Sequence, residues 1–137
     1  MAKDIFHNTV RAALESDGWA ITHDPLTVKL SKRQVFIDIG AEKLIGAERN
    51  NVQIAVEIKS FLGLSPLTDF YKALGQYQLY ILALKHREPD RVLYLAMPVE
   101  SYKTLINDDL LAEFMTELNL KYIIFNPNTQ TIIQWID

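Results

Sequence analysis

The chain has no cysteine and no long apolar run, and each absence removes a class of protein. Without cysteine there are no disulfides, no thiolate metal ligands and no cysteine nucleophiles, which fits a reducing compartment. The apolar runs are too short to span a bilayer, and the start Met1–Asp4 does not resemble a signal peptide. We therefore expect a cytoplasmic protein that is independent of membranes.

Positive charge is also in short supply, with a formal net charge of −3 and a pI near 5.6. A general nucleic-acid binder needs a basic surface for its phosphate contacts, so the balance argues against that class. A local basic cluster remains, and it consists of Lys29, Lys32, Arg33, Lys43 and Arg49. These residues either face phosphates or are solvated hairpin residues, and the second role is the ordinary one for such side chains.

Glycine and histidine patterns add no site of their own. The five glycines are too scattered for a phosphate-binding loop. His7, His23 and His86 have no mutual spacing that indicates a metal site. His23 stands next to Asp24, and we interpret that pair as part of a turn.

Apolar residues are abundant, because 49% of the 137 residues are hydrophobic. This is enough for one packed domain, which we assign to residues 1–137. The periodicities predict the order helix, three strands, long helix, strand, helix, strand, strand. That order is typical of an α/β (α+β) fold in which a mixed central sheet is flanked by helices.

Turn residues and apolar periods set the predicted bounds. The first helix is expected from Asp4 to Asp17, with Asp4 as its cap. A strand over Val35–Ile39 is followed by a loop or irregular hairpin over Gly40–Asn51, and a second strand covers Val52–Lys59. These strands and the one before them should be mostly antiparallel. The remaining predicted elements are a helix from Ser65-Pro66 to Arg87, a strand over Val92–Met97, a helical region over Glu100–Leu118 broken near Asn107-Asp108, and strands over Tyr122–Phe125 and Thr131–Trp135.

The most informative motif is Val56-Glu57-Ile58-Lys59, which follows Asp38 in the next predicted strand. Glu57 and Lys59 share one face of an extended strand, while Val56 and Ile58 share the other. Charges placed so near a core are usually paired or bind a metal. Two carboxylates and a lysine suit Mg²⁺-dependent phosphodiester cleavage. The alternative is an exposed strand end with a Glu–Lys surface pair of little energetic value.

This arrangement resembles the core of the restriction-endonuclease-like nucleases, the PD-(D/E)xK superfamily. The resemblance implies that Asp38 and Glu57 bind Mg²⁺, with Mn²⁺ as a substitute, and that the carbonyl of Ile58 supplies a further oxygen. It also implies that Lys59 orients or activates the attacking water. The proline that precedes the aspartate in the signature is replaced here by Ile37.

Two more positions match elements of that superfamily. Glu15, on the first helix, corresponds to the acidic residue that often reaches the metal or its waters. Gln76 and Tyr80 match the Gln-x-x-x-Tyr element of the RecB-like branch, and their spacing places them on one helix face. The resemblance implies that all three side chains point toward the cleft of Asp38.

A closer resemblance covers the full length of the chain. The segments Ala2–Asp4, Val35–Glu42, Ile54–Phe61 and Ala73–Tyr77 resemble the XisH family, cyanobacterial proteins called fdxN element excision controlling factors. The family implies a role in the programmed excision of a DNA element during heterocyst formation. The implied partners are DNA, a small XisI-like protein and a site-specific recombinase that performs strand exchange. A homodimer is also expected, because symmetric dimers are the commonest oligomers and nucleases of this fold often cut two strands as pairs.

Three functions from different classes follow. The chain is expected to be a DNA-acting accessory factor with a nuclease-like fold, and an active Mg²⁺-dependent endonuclease is the alternative. The third is a non-catalytic regulator that binds a XisI-like partner or the recombinase. Its interface would use the aromatic residues of the Phe70–Tyr80 helix and Trp135, since aromatic side chains favour interfaces.

Overall fold

The computed structural model describes residues 4–45, 50–63 and 65–137. Its elements follow the predicted order, but five strands rather than three precede the long helix, and the predicted broken helical region forms two helices. They are α1 His7–Ser16, β1 Ala20–His23, β2 Leu26–Leu30, β3 Arg33–Ile37, β4 Ile39–Ile45, β5 Asn50–Ile58, α2 Pro66–Arg87, β6 Arg91–Pro98, α3 Val99–Ile106, α4 Asp109–Glu117, β7 Tyr122–Asn126 and β8 Thr131–Ile136.

The central sheet has six strands in the order β1-β4-β5-β6-β7-β8. Strands β5, β6 and β7 are parallel, while β1, β4 and β8 join antiparallel to their neighbours. Helix α2 provides the crossover between the parallel strands β5 and β6, as such a connection requires. The predicted mixed sheet flanked by helices is therefore confirmed.

Two core clusters lie on opposite faces of this sheet. One contains Ala55 together with Phe70, Tyr77 and other residues of α2. The other contains Val56 and Ile58 with residues of α1 such as Val10 and Leu14. Because side chains alternate along a strand, Glu57 lies on the same face of β5 as Ala55, toward α2.

Of the two alternatives predicted for Gly40–Asn51, a loop or an irregular hairpin, the chain forms the hairpin, because β4 continues to Ile45 and pairs antiparallel with β5. Gly40 sits inside this strand and pairs with Ala55 of β5 and His23 of β1. A glycine in a short apolar segment favours a loop prediction, but Ile39 and Ala41 are fully buried between neighbours and keep the segment extended. Residues 46–49 of the predicted loop, including the basic candidate Arg49, lie outside the described residues.

The antiparallel unit also divides differently from the prediction. Strands β2 and β3 form a separate two-stranded sheet, in which Leu26 pairs with Ile37 and Leu30 with Arg33. This hairpin packs on α2 through Leu26 and Val28. The chain thus leaves the small sheet at Ile37 and enters the central sheet at Ile39.

Helix boundaries follow local hydrogen bonding. In α2, the Ser65 side chain accepts a hydrogen bond from the Thr68 amide, and Pro66 occupies the first turn, as predicted. Helix α1 begins at His7 rather than at the predicted Asp4, because the Asp4 carboxylate accepts from the amides of Phe6 and Ser60 instead. Among the described residues, no helix is both long and apolar enough to cross a membrane.

Candidate functional site

Asp38 is the single residue between β3 and β4, where the chain passes from one sheet to the other. Its Oδ2 accepts a hydrogen bond of 2.8 Å from the Ile58 amide, and its own amide donates to Glu57 Oε1 at 3.3 Å. The residue is buried. Two backbone amides therefore hold the Asp38 and Glu57 carboxyls next to each other, although the residues come from different strands.

Glu57 and Lys59 complete the cluster from the end of β5. Glu57 is 6% exposed, and its Oε2 lies 3.5 Å from Nζ of Lys59. Lys59 is more accessible, with 29% of its side chain exposed. The structure therefore brings the two predicted carboxylates and the predicted lysine together in one place, with the lysine on the solvent side.

The two carboxyls of the cluster are buried and adjacent, so ionisation of one opposes ionisation of the other. Burial, followed by the charge of Asp38, raises the pKa of Glu57 to about 8, although Lys59 acts in the opposite direction. Glu57 therefore holds a proton at neutral pH when no cation is present. A bound divalent cation would favour the ionised form and displace that proton.

Tyr80 of α2 lies on the same side of the sheet. Its phenol is 8% exposed, and burial together with the charges of Glu57 and Asp38 raises its pKa to about 12. The hydroxyl stays protonated at all ordinary pH values and is available as a hydrogen-bond donor beside the two carboxyls. This half of the predicted Gln-x-x-x-Tyr element is close to the site.

The other predicted residues are not brought to the carboxyl pair. Glu15 is exposed on α1, and its Oε1 pairs with Arg11 Nε at 3.5 Å. Gln76 is exposed on α2. Among the hydrogen bonds and ion pairs of the described residues, neither side chain contacts Asp38 or Glu57.

A histidine that the sequence did not indicate adjoins the site. His7 is 3% exposed, and its Nε2 lies 2.6 Å from Asp24 Oδ1. A carboxylate only accepts hydrogen bonds, so Nε2 carries the proton. The opposite nitrogen, Nδ1, lies 4.0 Å from Asp38 Oδ1 and has no hydrogen-bond partner among the described residues.

Asp24 links this histidine to a cation at the surface. Its Oδ2 accepts a hydrogen bond of 2.7 Å from Arg11, which also pairs with Glu15. The predicted turn at His23-Asp24 lies between β1 and β2, and there the His23 ring bonds Thr22 while Asp24 binds His7. No spacing rule finds this contact, since His7 and Asp24 belong to separate elements and meet only through the packing of α1.

The donor set suits a hard divalent cation only in part. In the described ranges, no group of three or more His, Asp or Glu side chains gathers closely enough to hold a metal ion. Asp38 and Glu57 would therefore act as a pair, with backbone oxygen and water completing the shell. Mg²⁺ accepts such a shell, because it usually keeps several waters and binds one or two carboxylates.

A small pocket opens beside the lysine. Its volume is about 170 Å³, and Lys59 and Lys72 contribute its cations while Asp4 and Asp69 contribute its anions. Its remaining lining comes from the segment that links β5 to α2, residues 60–63. Solvent can thus reach the cluster from the side of Lys59.

The fold and this cluster define a mixed-sheet α+β protein with a buried carboxyl pair beside an accessible lysine. The particular family follows from comparison: residues 1–133 match the XisH protein family, and the chain belongs to it. No functionally curated protein matches the chain.

Two solved structures are close relatives. A XisH family protein from Nostoc punctiforme PCC 73102 is 43% identical, with a TM-score of 0.87. A protein from Anabaena variabilis described as an fdxN element excision controlling factor is 42% identical, again with a TM-score of 0.87. In both cases the match covers 98% of this chain and 100% of the other.

Proposed function

We propose that the protein is a controlling factor for the excision of a DNA element and acts on or near DNA through the cluster of Asp38, Glu57 and Lys59. Membership of the XisH family and the description of the Anabaena variabilis relative support the excision role. The buried carboxyl pair beside Lys59 supports direct contact with a phosphodiester and is the observation on which the proposal depends.

The physical argument starts from the cost of this pair. Two acids in contact inside a protein cannot both ionise without a compensating cation, and Lys59 compensates only from one side. Stability alone would favour apolar residues at both positions. A bound Mg²⁺ would supply the missing positive charge and could polarise a phosphate oxygen or lower the pKa of a water.

The chain's own residues have distinct tasks in this proposal. Asp38 and Glu57 hold the cation, and the Ile58 amide fixes the orientation of Asp38. Lys59 faces the pocket and offsets charge on the phosphate. Tyr80 keeps its phenol proton and would donate a hydrogen bond to a group held beside the carboxyls.

Metal binding can be tested without any assumption about activity. We expect Mn²⁺ to bind the purified protein with one ion per chain in isothermal titration calorimetry, and Asp38→Asn and Glu57→Gln to lose that binding. Glu15→Gln is the matched control, because Glu15 pairs with Arg11 outside the cluster. Unchanged Mn²⁺ affinity in the two site variants would remove the metal from the proposal.

DNA binding tests the central claim. The protein is expected to retard a DNA duplex at low salt, alone or with a XisI-like companion protein. Lys59→Ala should weaken retardation, whereas Lys103→Ala, which removes an exposed lysine of α3, should not. Absence of retardation under both conditions would leave only action through a protein partner or the recombinase.

An active Mg²⁺-dependent endonuclease is the second candidate, and the presence of all three chemical groups in one cluster favours it. The experiment is nicking of supercoiled plasmid with Mg²⁺ or Mn²⁺ by wild type, Lys59→Ala and Lys103→Ala. Loss of nicking in Lys59→Ala alone would establish catalysis by this site. Equal nicking by all three proteins would identify a contaminating nuclease.

A further inference from the structure

The outer face of α2 carries no charge over about three turns, where a surface helix is normally charged. No charged residue occurs from Ala73 to Leu84, yet several positions in this stretch are exposed to solvent. Leu79 and Leu82 are 49% and 50% exposed, and Tyr71, just before the stretch, is 57% exposed. Depletion of charge with retention of aromatic and aliphatic residues is the composition of an interface centre.

Gly75 lies in the middle of this face, four residues from both Tyr71 and Leu79. Glycine inside a helix is less stable than alanine, so an unforced glycine needs a reason. Apart from the adjacent residues and the neighbouring backbone of α2 itself, no described atom lies within 4 Å of the place where a Cβ on Gly75 would be, so packing against the rest of the protomer does not require glycine there. A glycine on a helix surface does allow the backbone of another helix to approach closely.

We infer that a second copy of this chain docks on this face, with the two α2 helices antiparallel and Gly75 facing Gly75 across a two-fold axis. The spacing is self-complementary, because Tyr71 and Leu79 are equally far from Gly75. In the antiparallel register, Tyr71 of each protomer contacts Leu79 of the partner subunit. A two-fold interface must match itself in this way.

Charges at the ends of the apolar face favour the same orientation. The last turn of α2 is basic, and Lys85 lies about five helical turns beyond Leu67, on the same side of the helix. Leu67 and Tyr71 share a groove with Asp108, which precedes the acidic start of α4 at Asp109. Antiparallel docking brings the partner's Lys85 toward this acidic end, whereas parallel docking would place Lys85 beside its own copy.

The inference is independent of the proposed metal chemistry. Tyr80, which is near the carboxyl pair, lies on the buried side of α2, while Gly75 and Leu82 face solvent. Both faces of one helix can therefore be occupied at once. A failure to bind Mn²⁺ or DNA would therefore leave the proposed dimer untouched, and a monomeric protein would leave the proposed metal site untouched.

Cysteine crosslinking tests the register directly, because the chain has no cysteine of its own. A cysteine at Gly75 would itself hold the helices apart, so the cysteines are placed one helical turn to either side, where facing residues come within disulfide reach on mild oxidation. Tyr71→Cys mixed with Leu79→Cys should give the mixed dimer. Ile133→Cys, on the exposed β8, is the control for random collision. Self-crosslinking of Tyr71→Cys without the mixed product would overturn the antiparallel arrangement.

A second measurement uses association without crosslinks. In sedimentation velocity, Gly75→Ala is expected to weaken dimerisation by about tenfold or more, because the methyl groups keep the helices apart. In dilute solution the same variant should melt about 3 °C higher, which excludes misfolding as the cause. Ile133→Glu, on the exposed β8, is the control. Wild type that stays monomeric at about 0.1 mM, or a Gly75→Ala variant that dimerises as well as wild type, would refute the inference.

Discussion

Glu57 is the residue whose chemistry departs most from its ordinary behaviour. An isolated glutamate is ionised at neutral pH, but burial and the adjacent Asp38 raise the pKa of this one to about 8. The folded protein therefore holds a proton that the unfolded chain releases. This difference connects stability, metal binding and pH, and each connection can be measured.

The first prediction concerns stability against pH. The folded-state pKa of Glu57 is raised from 4.5 to about 8. The contribution of protonated Glu57 to the free energy of unfolding is therefore fully present below pH 4.5 and is lost as the pH rises through 8. The free energy of unfolding should fall by about 1.4 kcal/mol per pH unit within this window. Urea unfolding of Glu57→Gln should lack that slope, whereas Glu117→Gln, an exposed change on α4, should retain it.

The second prediction concerns proton release on metal binding. A cation between Asp38 and Glu57 needs both carboxylates ionised, so binding at pH 7 should release about one proton per Mn²⁺. Affinity should accordingly rise as the pH approaches 8. Calorimetry in buffers of different ionisation enthalpy measures the proton directly. Binding with no proton release would show that the ion sits elsewhere.

The third prediction concerns His7, whose Nε2 donates to Asp24. His7→Gln places an amide near the position of Nε2 and should cost less than about 1 kcal/mol of unfolding free energy. His7→Asn cannot reach Asp24 and should cost about 1–3 kcal/mol, because a buried partner loses its donor. His86→Gln is the control and should leave the free energy of unfolding unchanged, because His86 is an exposed residue of α2. Equal losses for Gln and Asn would show that the Asp24 bond is not what stabilises His7.

Among individual residues, the sequence predicted the side chains of the site that lie on one strand or at the end of the adjacent strand. Glu57 and Lys59 follow from strand alternation, and Asp38 from the adjacent strand end. His7 could not be predicted, because its contact with Asp24 depends on the docking angle of α1 on the sheet. The pairing of Glu15 with Arg11 could not be predicted either, because a position on a helix does not reveal which way the helix is turned.

Among the elements, β4 shows how burial overrides local propensity. Glycine and asparagine in residues 40–51 predicted either a loop or an irregular hairpin, and the segment up to Ile45 extends between β1 and β5 as one strand of the hairpin. Helix α2 was predictable at both ends, because Ser65, Pro66 and the basic last turn are local signals. Strand pairing depends on distant neighbours, and a single sequence contains little information about them.

The fourth prediction uses the glycine inside β4. A Cβ on Gly40 would lie 3.1 Å from His23 Cβ and 3.3 Å from an Arg91 guanidinium nitrogen. Arg91 is buried and bonded to the Ile54 carbonyl, so it cannot easily move. Gly40→Ala should therefore destabilise by about 1–3 kcal/mol in urea unfolding. Gly75→Ala in dilute solution is the matched control and should stabilise. A neutral Gly40→Ala would show that β1 yields at this point.

For the whole molecule, the acidic balance limits how DNA can be held. A net charge of −3 leaves only local cations for phosphate contacts, and Lys59 and Lys72 line one pocket. The composition therefore predicted that a nonspecific basic surface would be missing. It could not show where lysines converge, because that depends on the path of the segment between β5 and α2.

The fifth prediction follows from this charge distribution. DNA affinity should depend only weakly on salt, since each phosphate contact contributes a slope of about −0.9 in log affinity against log salt concentration. Lys72→Ala should make that slope shallower by about 0.9, the value of one phosphate contact, whereas Lys103→Ala should leave the slope unchanged. Fluorescence anisotropy over a salt series makes the measurement. An unchanged slope in Lys72→Ala would place the phosphates outside the pocket.

The one-residue passage at Asp38 leaves the chain no slack between the two sheets. An insertion there would turn every side chain of β4 to the opposite face or carry the carboxylate away from the Ile58 amide. A deletion would remove the acid itself or force Ile37 out of the hairpin. Length at this point is therefore constrained as tightly as residue identity, and engineered linkers or tags belong elsewhere in the molecule.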